Sequence, residues 1–480
     1  MTNPIAIEIS DLIDRKQNLF IGVSDQIWEY AEIRFEEFKS AELLCRTLEQ
    51  EGFRVEREAA GLETAFVASF GSGAPVIAIL GEFDALASLS QRSNEAAYNP
   101  VEPGANGHGC GHNLLGAGSL AAAVAVKDYI ERHGISGTIR YYGCPAEESG
   151  SGKAYMARAG LFGDVDAAFC WHPAGVNAVP HMSTLANLHV HFAFRGKSAH
   201  AAAAPHLGRS ALDAVELMNV GVNYLREHMI DQARIHYAVT NAGGSAPNVV
   251  QADAAVDYLI RAPKASQVLE LYERVKDVAR GAALMTGTTM SFRIEGGASD
   301  LIPNAALERA MQGFMQELEL PLYSEDDLTF AQAIFATLSD SDKQSAAMQV
   351  GKEAASYLEK QPLARFVAPY REQLMMMPAS SDVGDVSWNV PTAQCAAVTW
   401  AYATPLHAWQ TVAQGQSAYA HKGMLFAGKT MACTAIAALT DGELLARAKA
   451  ELAERLAGEA YVCPIPDDVQ PARRSSQTAS

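Results

Sequence analysis

Hydrophobic positions in the first half of the chain follow two spacings, one typical of buried strands and one typical of helices. Short apolar runs fit strands that are buried on both faces, and the longer periodic stretches between them fit helices. The predicted strands are residues 75–80, 138–142 and 167–170, and the predicted helices are residues 26–51 and 112–133. Because strands that alternate with helices form parallel sheets, the pattern predicts an α/β fold with a mixed, mostly parallel sheet and helices on both faces.

The pattern changes after about Thr184. The elements predicted there follow the order β-α-β-β-α-β, which is that of a small open-faced sandwich. Its strands are predicted at residues 185–194, 234–240, 254–261 and 288–294, and its helices at residues 210–228 and 268–284. From Asn304 the chain returns to helices, then to an apolar run at 396–400 and a long terminal helix. We therefore predict a first domain, residues 1–185 and 299–480, that is split by an inserted α+β domain at residues 186–298.

Composition and charge narrow the classes of partner. The chain has 480 residues, more than one ordinary core accommodates. The formal net charge of −18 argues against nucleic acid and anionic membranes, although a local arginine could still bind a small anion. The run that comes closest to a membrane span, residues 114–126, is too short to cross a membrane. The N-terminus does not resemble a secretion signal. Seven scattered cysteines do not resemble a disulfide framework, so we expect a cytoplasmic protein.

Polar side chains follow the predicted strands where each strand ends. They are Glu82 and Asp84, Glu147 and Glu148, His172 and His407, together with Cys110 and His112 in the loop His108-Gly-Cys-Gly-His112 before a helix. The carboxyl ends of parallel strands meet at one edge of a sheet, so we expect these side chains to lie close together. Imidazole, thiolate and carboxylate groups are ligands of zinc-like ions. Of two adjacent carboxylates, one can bind metal while the other takes a proton from a water molecule.

Each of these residues alone has a more ordinary interpretation. A single histidine at a strand end is more often structural, Asp84 could cap a helix, and Cys110 could simply be small and buried. All of these would have to fall on one edge of the sheet by chance, which favours the metal site. Eight other histidines lack such a context: we interpret His133, His228, His236 and His421 as structural and leave His181, His189, His191 and His206 undecided, leaning towards structural.

Five ordered motifs carry a family resemblance. They are Gly81-Glu-Phe-Asp84-Ala-Leu, Gly107-His-Gly-Cys110-Gly-His112-Asn, Pro145-Ala-Glu147-Glu148, Trp171-His172-Pro and Pro405-Leu-His407. Together they resemble the dimetal aminoacylase/carboxypeptidase family of amidohydrolases, in the branch with a Cys-Gly-His ligand motif, from about Gln26 to Pro464. The resemblance implies two divalent metal ions per subunit, Zn²⁺ or Mn²⁺. It implies as their ligands Cys110, His112, Glu148, His172 and His407.

The resemblance also implies roles for residues that do not bind metal. Glu147 matches the general base, and Asp84 matches the acid that orients a metal-binding side chain. His200 matches a histidine that reaches a neighbouring active site and stabilises the oxyanion. Asn248 matches a substrate contact. Arg261 is a weaker candidate for binding the substrate carboxylate, and a surface ion pair is an equally fair interpretation.

The implied activity is metal-dependent hydrolysis of the amide bond of an N-acyl amino acid. The first expectation is p-aminobenzoyl-glutamate, giving p-aminobenzoate and glutamate. The alternatives are an indole-acetyl- or benzoyl-amino acid, a small dipeptide, or a metal-binding chain that needs a homologous partner chain. The inserted domain would serve as a lid and join a homodimer or a heteromer. Asn113, where related branches have aspartate, leaves the ligand set intact but puts metal identity in question.

Overall fold

The computed structural model describes residues 3–471. The final nine residues of the predicted first domain, 472–480, lie outside the described residues. In chain order the strands are β1 (Arg54–Arg57), β2 (Phe66–Ser72), β3 (Val76–Glu82), β4 (Gly137–Cys144), β5 (Ala167–Ala174), β6 (Met182–Thr184), β7 (Ala186–Arg195), β8 (Arg234–Asn241), β9 (Asp253–Ala262), β10 (Thr289–Ala298), β11 (Met375–Met377) and β12 (Thr392–Val398).

The α-helices surround and connect these strands. In chain order they are α1 (Pro4–Arg15), α2 (Gln17–Tyr30), α3 (Phe38–Gln50), α4 (His112–His133), α5 (Gly152–Arg158), α6 (Ala211–Leu225), α7 (Ala265–Thr286), α8 (Ala305–Glu317), α9 (Glu325–Ala336), α10 (Asp340–Val350), α11 (Lys352–Leu358), α12 (Val383–Ser387), α13 (Trp409–Gln414), α14 (Ala418–Thr440) and α15 (Gly442–Leu456). Short 3₁₀ turns occur at Ala59–Gly61, Pro205–Leu207 and Arg226–His228.

The larger sheet has six strands in the order β1-β2-β4-β3-β5-β12. The four strands from β4 to β12 run parallel, and β1 and β2 add an antiparallel edge. Side chains of β3 alternate between two buried faces: Ile77 and Ile79 pack with α4 and α14, while Ala78 and Leu80 pack on the side of α5 and α12. A strand buried on both faces needs apolar residues at every position, which explains its continuous apolar run. The prediction of a mixed, mostly parallel sheet with helices on both faces is confirmed.

The smaller sheet is antiparallel, with the order β10-β7-β9-β8. Its strands and the helices α6 and α7 follow one another as β-α-β-β-α-β within residues 186–298, as predicted. One face packs against α6 and α7 through Leu188, Val190 and Ile260. The division of the chain into domains at these residues stays a prediction.

Two predictions about helices were wrong. Residues 26–51 do not form one helix, because α2 ends at Tyr30, where Ala31 adopts a left-handed conformation, and α3 begins at Phe38. The helix most suited to a membrane by length and composition, among the described residues, is α14 rather than the run 114–126, and 83% of its apolar window is buried inside the protein. We therefore interpret α14 as a core helix that packs against α4.

Candidate metal centre

The carboxyl ends of the parallel strands form one rim, and the loops at this rim bring the candidate ligands together. The residues that meet there are Glu82 and Asp84 after β3, Glu147 and Glu148 after β4, His172 in β5, His407 after β12, and Cys110 and His112 at the start of α4. The loop of His407 is tied to the loop of Cys110, since the His407 N–H donates to the Gly109 carbonyl at 2.9 Å. The rim therefore gathers segments that are far apart in the chain.

Two histidines at the rim are oriented by hydrogen bonds on Nδ1. Nδ1 of His112 lies 2.8 Å from Oδ1 of Asp84, and Nδ1 of His172 lies 2.8 Å from the Pro173 carbonyl. Each acceptor places the ring proton on Nδ1, which leaves the Nε2 lone pair free to bind a cation. Asp84 also accepts the Glu148 N–H at 2.9 Å, so one buried carboxylate positions residues on two different loops.

The ligand atoms form two groups that share a cysteine. Within each group all ligand atoms lie within 4.8 Å of one another: one consists of Cys110, His112 and His172, and the other of Cys110, Glu148 and His407. Cys110 Sγ lies 3.4 Å from His172 Nε2, and Glu148 Oε2 lies 3.3 Å from His407 Nε2. These two groups are the residues that would hold a pair of cations, and Cys110 belongs to both.

The residues fit a metal pair on independent grounds. His112 Nε2 and Glu148 Oε1 are buried atoms without a hydrogen-bond partner, which is costly unless something binds them. Burial raises the pKa of the Cys110 thiol well above its usual value, so this thiol needs a nearby cation to ionise. Nitrogen, sulfur and carboxylate donors together are the set that zinc-like ions take.

The adjacent carboxylates Glu147 and Glu148 have opposite electrostatic surroundings. Burial, reinforced by neighbouring carboxylates, raises the pKa of Glu147 well above its usual value. Burial also acts to raise the pKa of Glu148, but its hydrogen bond with His407 and the charge of His112 outweigh this and lower it to about 2. Glu147 is thus the better proton acceptor and Glu148 the better permanent anion.

A buried lysine behind the rim was not anticipated from the sequence. Lys153, on α5, is completely buried, and its Nζ lies 2.7 Å from Glu82 Oε1 and 2.5 Å from Asp382 Oδ1. Burial acts to raise the pKa of Glu82, but the charges of Lys153 and His112 outweigh it and lower this pKa. Glu82 belongs to a third group of potential ligand atoms with His112 and Glu147, although we assigned it no role from the sequence.

A cavity of about 890 Å³ opens from the rim, and its far wall is the open face of the smaller sheet. That wall carries His189 on β7, His236 on β8 and Arg261 on β9. His236, which we interpreted as structural, lines this cavity, and that interpretation stays a prediction. Arg261 makes no ion pair among the described residues, which argues against the surface ion pair, and its Nη1 donates to Ser380 Oγ at 2.8 Å. Burial lowers the pKa of Arg261.

Two predicted site residues lie outside this cavity. His200 and Asn248 are both exposed and neighbour one another, since the Ala201 N–H donates to the Asn248 carbonyl at 2.9 Å. His200 Nδ1 accepts hydrogen bonds from Ala202 and Ala203 of its own loop. In this chain neither residue contributes to the cavity lining.

Asn113 is directed away from the candidate ligands. Its side chain is completely buried, and Nδ2 donates to Ser24 Oγ at 3.1 Å and to the Gly415 carbonyl at 3.0 Å. The amide therefore joins α4 to α2 and to the segment after α13. Among the described residues, these hydrogen bonds of Nδ2 do not include a candidate ligand.

Comparisons with known proteins give a family and several relatives of the chain. Residues 78–318 match the model of peptidase family M20/M25/M40. The chain is 49% identical over 470 residues to one of the two p-aminobenzoyl-glutamate hydrolase subunits of Escherichia coli (strain K12), covering 96% of this chain and 98% of that protein. It is 30% identical to the other subunit of the same hydrolase, over 55% of this chain and 64% of that protein. Among solved structures, the dinuclear metal-binding M20 peptidase YXEP of Bacillus subtilis superposes with a TM-score of 0.50 at 18% identity, covering 86% of this chain and 99% of that one.

Proposed function

Because the chain belongs to peptidase family M20/M25/M40, we propose that it hydrolyses p-aminobenzoyl-glutamate to p-aminobenzoate and glutamate. The resemblance to the dimetal amidohydrolases is confirmed, and the chain is a metal-dependent hydrolase. The observation that carries the substrate proposal is the 49% identity, over nearly the whole chain, to a protein named for this reaction. The ligand groups that share Cys110 support the same chemistry.

Two divalent ions, Zn²⁺ or Mn²⁺, are proposed to be held by Cys110, His112, Glu148, His172 and His407. When bound, such ions lower the pKa of water and polarise the amide carbonyl. The thiol donor favours zinc, while the hard carboxylate donors are compatible with manganese.

Glu147 is proposed as the general base and later the general acid. Its raised pKa suits a group that takes a proton from the attacking water and returns it to the leaving nitrogen. Asp84 is proposed to keep Nδ1 of His112 protonated and its ring fixed, through the 2.8 Å hydrogen bond. The role proposed for Asp84 needs only the contact that this side chain already makes.

The charge distribution in the cavity favours one orientation of substrate. The end near the rim is acidic, with Glu82, Glu147 and Glu148, whereas the far wall carries Arg261 and His236. Arg261 attracts a carboxylate of the substrate to the far wall, whereas the acidic side chains of the rim would hold the two cations that act on the amide. We therefore propose that the amino acid carboxylate binds Arg261 while the amide lies at the rim.

His200 and Asn248 are proposed to act in the active site of a neighbouring protomer. Their exposure and their distance from this chain's own cavity support such a role. The inserted domain, residues 186–298, is proposed as lid and oligomer interface. Edge strand β8 and the exposed Val220 and Tyr224 of α6 support this, because unpaired edges and apolar side chains favour association.

The neighbour is either a second copy of this chain or a homologous chain. The two Escherichia coli relatives are named as different subunits of one hydrolase, which supports a heteromer, while the complete ligand set of this chain supports activity without a partner chain. A cytoplasmic location is also proposed, supported by seven free cysteines.

The test is to incubate the chain, purified alone, with p-aminobenzoyl-glutamate and Zn²⁺ or Mn²⁺ and to measure glutamate release. We expect metal-dependent release that stops on chelation. If the chain releases an amino acid only from indole-acetyl- or benzoyl-amino acids, or from a dipeptide, then p-aminobenzoyl-glutamate is not its substrate. If glutamate is released only after a homologous chain is added, the active enzyme is a heteromer and this chain is not active alone.

A further inference from the structure

The segment between α2 and α3, residues 31–37, is a strained turn where the sequence predicts continuous helix. Three of its residues, Ala31, Arg34 and Phe35, have φ values of 42°, 24° and 59°. Residues other than glycine rarely adopt this left-handed region, because their Cβ atom is crowded there. The turn persists, so the contacts that it makes must compensate for this strain.

Hydrogen bonds join this turn to four other segments at the cavity. The Ala85 N–H donates to the Glu32 carbonyl at 2.8 Å, next to Asp84. Asn106, which precedes the loop of Cys110, donates to the Ala31 carbonyl at 3.1 Å. Two further bonds, from Arg34 to the Glu295 carbonyl of β10 and from the Ala146 N–H to Glu37, reach the smaller sheet and the loop of Glu147.

Glu37 makes the most direct of these contacts. It is completely buried, and its Oε1 accepts the N–H groups of Ala146 at 2.9 Å and of Phe35 at 3.0 Å. Its Oε2 accepts from Thr64 Oγ1 at 3.0 Å. One carboxyl group therefore ties the strained turn to the residue immediately before Glu147.

Ala146 is itself strained, with a φ of 58°. Its peptide N–H is held by Glu37, and two residues later the Glu148 N–H is held by Asp84. The short segment that carries both candidate functional carboxylates is thus fixed on either side of Glu147 by a buried acid. Without Glu37, the Ala146 N–H would be buried without a partner, and Ala146 would lose a contact that holds its left-handed conformation.

We propose that Glu37 is a positioning residue for the hydrolysis reaction, holding the Ala146 peptide so that Glu147 and Glu148 point into the cavity. The inference rests on the proposed roles of Glu147 and Glu148. A displacement of about 1 Å of a catalytic group can lower turnover about 100-fold. Loss of a side chain that orients such a group typically lowers activity about 10–100-fold.

Three substitutions at Glu37 separate positioning from simple stabilisation. E37A removes the acceptor, and E37D keeps a buried carboxylate but withdraws it by one methylene group. We expect both to lower kcat about 10–100-fold with KM within about threefold of wild type. E37Q retains an oxygen that can accept both N–H groups, and its amide can donate to Thr64, so we expect kcat within about threefold of wild type.

The matched control is Asp327, a buried carboxylate that accepts from Ser324 N and Lys422 Nζ in the helical region after α8. D327A is expected to lower the thermal unfolding midpoint while kcat per folded, metal-loaded molecule stays unchanged. If E37D, like D327A, lowers only the thermal unfolding midpoint and leaves kcat unchanged, the positioning role is wrong. E37D is the decisive variant because it keeps a buried carboxylate and changes only its reach. Wild type that hydrolyses no N-acyl amino acid would refute the proposed function as well, whereas active wild type with fully active E37D refutes this inference alone.

Discussion

Replacing Lys153 with methionine is expected to destabilise the metal-free protein strongly at neutral pH and weakly at pH 5. Methionine fills similar space but removes the ammonium group that lies within 2.7 Å of Glu82 and 2.5 Å of Asp382. Both carboxylates are almost completely buried, so water cannot replace the lost cation. The expected consequence is that Asp382 must bind a proton for the protein to remain folded, and that Glu82, which keeps the nearby charge of His112, is shifted in the same direction.

The cost of that proton sets the size of the effect. With an ordinary carboxyl pKa of about 4, holding a proton costs about 1.4 kcal/mol for each pH unit above 4. One carboxyl thus costs about 4 kcal/mol at pH 7 and about 1.4 kcal/mol at pH 5. Breaking a buried ion pair usually costs about 3–5 kcal/mol, which agrees with the value at pH 7. For the two carboxyls together we expect K153M to lower the free energy of unfolding by about 4–8 kcal/mol at pH 7 and by about 1–3 kcal/mol at pH 5.

The direction in which the stability of K153M changes with pH follows from proton binding. In K153M the folded state keeps protons that the unfolded state releases above pH 4, so the free energy of unfolding falls as the pH rises from 4 to 7. Urea unfolding of chelated protein, followed by tryptophan fluorescence at pH 5 and pH 7, measures this difference. In K153M/D382N only the Glu82 carboxylate has lost its lysine partner, so the double variant should recover about half of the loss at pH 7 or more.

Lys429 provides the control, because it pairs with the half-exposed Asp14 at 2.7 Å. K429M should cost less than about 1 kcal/mol at either pH. If K153M lost the same free energy at pH 5 as at pH 7, the loss would come from packing, and the argument from uncompensated charge would be refuted.

Four further substitutions test the active site and the core. E147Q should lower kcat about 10²–10⁴-fold, since an amide cannot accept the proton, while the metal content measured by atomic absorption stays unchanged. Retention of most of the activity would contradict the role of Glu147 as base. R261M should raise the KM for p-aminobenzoyl-glutamate about 10–100-fold, because a charged hydrogen bond to the substrate is lost. An unchanged KM in steady-state kinetics would show that Arg261 does not bind the substrate carboxylate. G118A should destabilise by about 1–3 kcal/mol, because its Cβ would lie 2.9 Å from the Trp171 ring. G313A, whose Cβ meets nothing within 4 Å, should instead stabilise by up to about 1 kcal/mol, and the opposite order of thermal midpoints would contradict the packing argument.

The parts of the fold that were predictable are those with a continuous sequence signal. The apolar run of β3 and the uninterrupted helix α4 follow directly from spacing, and α4 was predicted with the bounds His112–His133 that the structure has. The gathering of candidate ligands was predictable for a different reason. Most of them lie near the carboxyl end of a strand or just before or at the start of α4, and parallel topology brings such positions to one rim.

Features that depend on pairing between distant segments were not predictable from spacing. β1 has four residues that are mostly exposed, so its pairing with β2 leaves little apolar signal. The position of Lys153 behind the rim requires knowing that α5 and the loop of Asp382 meet, 229 residues apart in sequence. His236 lines the cavity only because β8 lies at the edge of the smaller sheet, beside β9 and its Arg261.

The failed prediction of a single helix over residues 26–51 bears on how the site is built. Helix-compatible side chains continue through residues 31–37, so local preference alone would not break the helix there. The break places Glu37 against Ala146 and Arg34 against Glu295, and neither contact is available to a straight helix that continues past Tyr30. Left-handed residues recur at Ala146 and at His407, both beside candidate ligands. Some of the left-handed residues of this protein therefore lie where the backbone carries a candidate functional side chain, and the turn 31–37 is joined to one such segment through the hydrogen bond from Ala146 to Glu37.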